Sequence, residues 1–125
     1  MTFLWTGHEQ WFVEAPESAL GGLEALLRET FGDSAAVTEQ SDAWASLWLE
    51  GPATRAVLEK LCPLDLHPGA FPPGATARTT MEHISAIITL RDDRGTFTIL
   101  TPRSSAGSFL HHLRLAADSA CGATQ

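Results

Sequence analysis

Five histidines, two cysteines and one run of small polar residues are the groups in this chain that chemistry can use. His111 and His112 are neighbours in a helical pattern and point about 100° apart, so they do not chelate as an i, i+4 pair does. His8, His67 and His83 stand in loops or at strand edges, without Cys or carboxylate clusters at ligand spacing. A structural or surface role is expected for all five, and no metal site. Cys62 sits among leucines with Lys60 as its nearest cation, which suits an inert, buried small hydrophobe better than a nucleophile. Arg103-Ser104-Ser105-Ala106-Gly107-Ser108 opens a helical pattern. Small residues there can present backbone N–H groups to a carboxylate or phosphate, with Arg103 adding charge. The competing reading makes Ser104 or Ser105 a helix cap and puts Arg103 in a salt bridge within the chain or to another subunit.

Other signals are weaker. Asp42, Asp65 and Glu82 lack matched partners for acid–base work. Asp42 is expected to cap the turn into its strand, and Asp65 the bend after a helix. Gly21-Gly22 and the glycines from Gly69 to Gly74 lack the context of a nucleotide-binding loop. Trp44, Trp48 and Phe71 read as contact residues, buried either within the chain or at an interface.

The elements that position these groups follow from periodicity. Phe3–Thr6 and Trp11–Glu14 are β-prone runs around a four-residue loop that contains His8. Pro16-Glu17-Ser18 starts a helix in which Leu20, Leu23, Leu27 and Phe31 recur at helical spacing, and Gly32-Asp33 ends it. Gly21-Gly22 weakens that helix by roughly 1–2 kcal/mol, which a close approach to a strand or another chain would explain. Ala36–Glu39 is a further candidate strand. From Trp44 to Leu49 the alternation puts Ala45, Leu47 and Leu49 on one face and Trp44, Ser46 and Trp48 on the other. Two tryptophans on one face call for a cover, supplied by a second layer or by a partner.

Gly51-Pro52 opens a short helix carrying Val57, Leu58 and Leu61, closed at Cys62-Pro63. Residues 63–75, with four prolines and two glycines, form a stiff loop. Strands are expected at Ala77–Met81, Ile84–Arg91 and Thr96–Thr101, with a tight turn at Asp92-Asp93-Arg94-Gly95. A last helix presents Phe109, Leu110, Leu113 and Ala117 inward, and residues 119–125 form a frayed tail. The sum is α+β: an antiparallel sheet with three helices, ferredoxin-like, in one domain over residues 1–118.

Composition narrows the function classes. A net charge of −7, with one lysine and seven scattered arginines, argues against a nucleic-acid groove. No apolar run approaches the roughly 20 residues of a membrane-spanning helix. The opening residues lack a basic start, and Cys62 and Cys121 are not expected to pair, so a reduced cytoplasmic setting is favoured.

The order of the motifs carries a resemblance. Ser41-Asp42-Ala43-Trp44 is followed by Leu47-Trp48-Leu49-Glu50-Gly51-Pro52 and then by Leu61-Cys62-Pro63-Leu64-Asp65-Leu66-His67-Pro68. Phe71-Pro72-Pro73, Arg78-Thr79 and Arg103-Ser104-Ser105-Ala106-Gly107-Ser108-Phe109 complete the series. From about Trp5 to Ala117 it resembles the gamma subunit of heterotetrameric sarcosine oxidase, a relative of the aminomethyltransferase (glycine cleavage T-protein) fold. The resemblance implies a fold like part of the folate-binding domain of aminomethyltransferases. It also implies an accessory subunit, without catalytic residues of its own, of a complex that demethylates sarcosine oxidatively to glycine. FAD, FMN, NAD, tetrahydrofolate and zinc would belong to other chains, the alpha subunit being the chief neighbour, with beta and delta subunits beyond it. Such subunits have more chain before the first hairpin, so this sequence is expected to be N-terminally short. Two further readings stay open: a stand-alone binder of folate or a small carboxylate, and a subunit of a related N-methyl amine demethylase.

Overall fold

The computed structural model describes residues 2–7, 10–16 and 20–119. They form two compact units, Met1–Ser41 and Asp42–Gln125.

The first unit is a hairpin followed by a helix. β1 (Thr2–Gly7) and β2 (Gln10–Glu14) pair antiparallel with Leu4 opposite Phe12 and Trp5 opposite Trp11. Their alternation has consequences on both faces. Leu4 and Thr6 are buried, whereas Phe3, Trp5 and Trp11, on the opposite face, are about half exposed. His8 and Glu9, in the expected hairpin loop, lie outside the described residues, as do residues 17–19 at the expected helix start. α1 runs Leu20–Phe31 and passes into a single 3-10 turn at Gly32–Ser34, close to the stop expected at Gly32-Asp33. Leu23 is buried, but Phe31 is exposed at the helix end. Among the described residues nothing lies within 4 Å of a Cβ placed on Gly21 or Gly22, so the close approach expected of them is not seen there.

Residues 35–40 carry no regular structure, so the strand expected at Ala36–Glu39 does not form. Of these four side chains only Val37 escapes full exposure. A short β-prone run without a paired neighbour does not hold strand geometry.

The second unit is a four-stranded antiparallel sheet of order β3-β6-β5-β4 with two helices. The strands are β3 (Trp44–Leu49), β4 (Thr76–Met81), β5 (Ile84–Leu90) and β6 (Phe97–Pro102). α2 (Thr54–Leu61) joins the two edge strands β3 and β4, and α3 (Ala106–Ala117) follows β6. The class is α+β, as the sequence indicates. The run β-α-β-β-β-α, with β1 and β2 in a separate sheet, departs from the expected ferredoxin-like arrangement, which has a helix on each side of a central hairpin.

One face of this sheet carries the core. Ala86, Ile88 and Leu90 of β5 and Phe97 and Ile99 of β6 pack with Val57 and Leu58 of α2 and Phe109, Leu113 and Ala116 of α3. Leu47 and Leu49 border the same cluster, which confirms the face read from alternation. α2 ends at Cys62, whose extended backbone (φ −132°, ψ 154°) is what a following proline imposes. The β5–β6 connection turns at Gly95, where φ of +88° favours glycine, and the Asp92 carboxylate accepts the N–H groups of Arg94 (2.9 Å) and Thr96 (3.1 Å). The β4–β5 hairpin turns on Glu82 and His83 alone, with φ of 51° and 68°.

Candidate functional site

Each residue singled out in the sequence now has a place. Trp44 and Trp48 lie on the sheet face opposite the helices. Trp44 is half-buried and has the Arg78 guanidinium 5.9 Å from its ring centroid. Arg78 is on β4 and Trp44 on β3, the two edges of the sheet, so this contact arches over β5 and β6. Ile87, between them on the same face, is 1% exposed. Farther along, Arg91 donates from Nε to Thr98 Oγ1 at 2.7 Å and helps close the same face over the middle strands. Trp48 remains open at 62% exposure, with a 3.5 Å contact from Nε1 to Glu50 Oε2. The chain's own arginines thus cover one of the two indoles.

For Phe71, of the two readings left open, the structure shows burial within the chain. It is buried and stacks on Phe97 with ring centroids 6.3 Å apart and planes 19° apart, so it belongs to the core and not to a docking surface. The loop holds it there through its own backbone. Phe71 N–H donates to His67 C=O at 2.9 Å, Gly74 N–H to Leu90 C=O at 2.8 Å, and Leu90 N–H to Ala75 C=O at 3.1 Å. Asp65 caps the bend as expected, accepting the His67 N–H at 3.0 Å.

The Arg103-Ser104-Ser105 candidate is also redefined. Antiparallel pairing of β3 with β6 carries Arg103 alongside residues 42–44, where its backbone N–H donates to Ala43 C=O at 2.9 Å. Its side chain donates from Nε to Asp42 C=O (2.9 Å) and from Nη2 to Trp44 C=O (3.4 Å). The arginine therefore satisfies carbonyls at the start of the edge strand, and among the described residues it makes no salt bridge within the chain. Neither serine caps α3: residues 103–105 form a 3-10 turn without a side-chain cap bond, and Ala106 N–H closes on Arg103 C=O. Asp42 likewise contributes its carbonyl, where a side-chain cap was expected.

Cys62 is buried with a free thiol. Burial pushes that thiol up, a backbone hydrogen bond at Leu64 partly offsets the rise, and the charge of Glu59 adds to it. A thiol so placed is a poor nucleophile. Cys121 lies outside the described residues. His111 and His112 contact each other edge to face, with centroids 5.8 Å apart. Among the described residues no three of His, Cys, Asp and Glu come together, and no helix is long and apolar enough to cross a membrane.

The sequence reading missed the exposed face of the first hairpin. Trp5 and Trp11 sit directly opposite one another and Phe3 is on the same side, exposed by 52%, 56% and 46%. The expected four-residue loop would set Thr6 opposite Trp11 and Trp5 opposite Phe12; the register shift between Trp5 and Gly7 brings the two indoles opposite each other, and loop length alone does not encode it.

No protein-family model matches the chain. It is 35% identical over 103 residues to sarcosine oxidase subunit gamma of Corynebacterium sp. (strain P-1), covering 82% of this chain and 49% of that protein. It is 37% identical over 86 residues to the Arthrobacter sp. subunit of the same name, covering 68% and 41%. The chain thus spans about half the length of these curated relatives or less. In structure it matches a chain of the heterotetrameric sarcosine oxidase from Corynebacterium sp. U-96 in complex with pyrrole 2-carboxylate. The TM-score is 0.79 at 28% identity, over 94% of this chain and 59% of that one. By sequence and by fold, this chain is a homologue of the sarcosine oxidase gamma subunits.

Proposed function

We propose that the chain serves as an accessory, gamma-type subunit of a heterotetrameric sarcosine oxidase and contributes binding surface to it. The observation that carries this reading is the fold match, at a TM-score of 0.79, to a chain of that heterotetramer. Two surfaces support it: the Phe3-Trp5-Trp11 face of the first hairpin, and Trp48 on the edge strand β3. Tryptophan joins a large apolar body to one N–H donor and suits a surface that becomes covered on association. In this role the chain's residues pack, orient and exclude water, while oxidative demethylation takes place on other polypeptides. FAD, FMN, NAD and tetrahydrofolate are assigned to those polypeptides, with the alpha subunit the chief neighbour. Zinc is assigned to another polypeptide as well.

Co-expression with candidate alpha, beta and delta subunits, followed by size-exclusion mass measurement, tests the proposal. The expected result is one species containing this chain in stoichiometric amount. Elution of this chain by itself, beside an assembled and active complex of the others, refutes it.

A further inference from the structure

The start of α2, the proline-rich loop and the β5–β6 turn together line a cleft of about 290 Å³. Two arginines face it, Arg55 from the first turn of α2 and Arg94 from the hairpin turn. Arg55 is half-buried and fixed on two sides. Its Nε donates to Leu66 C=O at 2.9 Å, and its guanidinium carbon lies 5.3 Å from the Phe97 ring centroid. Those contacts use one donor and one π face. The terminal Nη donors have no carboxylate partner among the described residues.

A guanidinium stays protonated when partly desolvated, and a carboxylate matches its donor fork in two parallel hydrogen bonds. Arg94 is 85% exposed and reaches Asp92 only at 3.6 Å, a loose contact that leaves it able to turn toward a second anion. Asp93 is the acid in the lining. Asp93 in the lining and Asp92 against Arg94 offset the two arginines, which argues against a di- or triphosphate and leaves Arg55 as the cation without a carboxylate among the described residues. The remaining wall is apolar and stiff, with Phe71, Leu90 and three prolines. At ~30 Å³ per water-sized group, the volume admits roughly ten such groups.

We propose that this cleft binds a small monocarboxylate with an apolar body, its carboxylate held by Arg55 and Arg94 and its body against the exposed rings of Pro52, Pro68 and Pro73. The site lies wholly within the second unit and does not depend on the subunit reading. Benzoate is the probe and benzamide its neutral counterpart, each titrated into the full ¹⁵N-labelled chain. Benzoate is expected to produce saturable shifts at the Gly95 and Arg94 amides and at the Arg55 side-chain N–H, with Kd on the order of 1 mM. Benzamide is expected to produce none. Arg55→Met is expected to weaken benzoate binding by about 10–100-fold. Because Arg55 also holds the Leu66 carbonyl, Arg94→Gln serves as the variant that leaves the fold intact, with about a tenfold loss expected. Absence of saturation by about 20 mM benzoate overturns the assignment. So does an equal response to benzamide, or unchanged affinity in Arg94→Gln and Arg55→Met. Binding of a glutamate-bearing peptide without binding of benzoate makes the cleft a protein contact and overturns it as well.

Discussion

Replacing Trp5 and Trp11 together with threonine separates a docking face from an incidental one. A tryptophan side chain can bury about 250 Å². At 52% and 56% exposure, each of these leaves roughly 130–140 Å² for a partner to cover. At ~25 cal/mol per Å² that is about 3 kcal/mol per indole, an upper bound before the ordering and desolvation costs of association. If half survives those costs, the pair contributes about 3 kcal/mol, or roughly a hundredfold in Kd. The free chain loses far less. Threonine keeps β propensity, and an aromatic cross-strand pair is worth about 0.2–1 kcal/mol, so Tm should fall by no more than ~5 °C. The assay pairs calorimetric titration of the variant against the remaining subunits with a thermal melt of the variant alone. Assembly at unchanged affinity would show that the face stays in solvent within the complex. A melt lowered by ~15 °C with normal assembly would show that the indoles support the chain's own fold.

Three further outcomes follow from local geometry. Glu82→Asn with His83→Gly should stabilise the chain by about 2 kcal/mol, because two non-glycine residues with positive φ each cost about 1–2 kcal/mol; a lowered denaturation midpoint would mean that their side chains compensate for the strain. Asp92 is held below the usual carboxylate range, chiefly by the Thr96 hydroxyl and further by the Thr96 and Arg94 amides and the Arg94 charge, with desolvation opposing. A depressed folded pKa adds stability above the unfolded carboxylate value that is lost as pH falls through the folded one, so Asp92→Asn should flatten the acid limb of the stability–pH curve; superimposable acid limbs would refute this. Phe71→Ala should destabilise by about 3–5 kcal/mol in urea titration, against less than ~0.5 for Trp48→Thr, and equal effects would contradict the burial pattern.

Legibility followed the range of the interaction. α2, with its Gly51-Pro52 approach and its stop at Cys62-Pro63, could be read because proline restricts its neighbours through sterics alone. β3, β5 and β6 were legible from alternation and from the Asp92–Gly95 turn, within one or two residues at each end. The hairpin at Glu82 and His83 was located only by the strands on either side, Ala77–Met81 and Ile84–Arg91, because neither residue is one that commonly adopts positive φ. Arg103 illustrates the limit most plainly. Its partners, Asp42 and Trp44, are some sixty positions away, brought alongside by the β3–β6 register, and no local pattern encodes that register. Phe71 could not be decided locally for the same reason. The prolines around it signalled a stiff loop without saying what the ring meets, and the ring that receives it is on β6.

The partition of aromatic residues joins the fold to the proposed role. Phe71, Phe97 and Phe109 are buried, whereas Trp5, Trp11 and Trp48 each keep more than half of their surface exposed. In a chain that works alone the opposite bias is expected, since tryptophan is on average well buried and large exposed apolar patches are rare. The second unit's core is already closed by Leu58, Leu66, Ile88, Phe97 and Ile99, all fully buried, so its packing does not need Trp48. The one indole that the chain does protect, Trp44, is protected by Arg78 and lies beside carbonyls bonded to Arg103. That arrangement fixes the start of β3 and so fixes where Trp48 stands at the sheet edge. Rigid placement of an exposed indole lowers the entropy lost on association, which is the property a docking residue needs and a solvent-facing one does not.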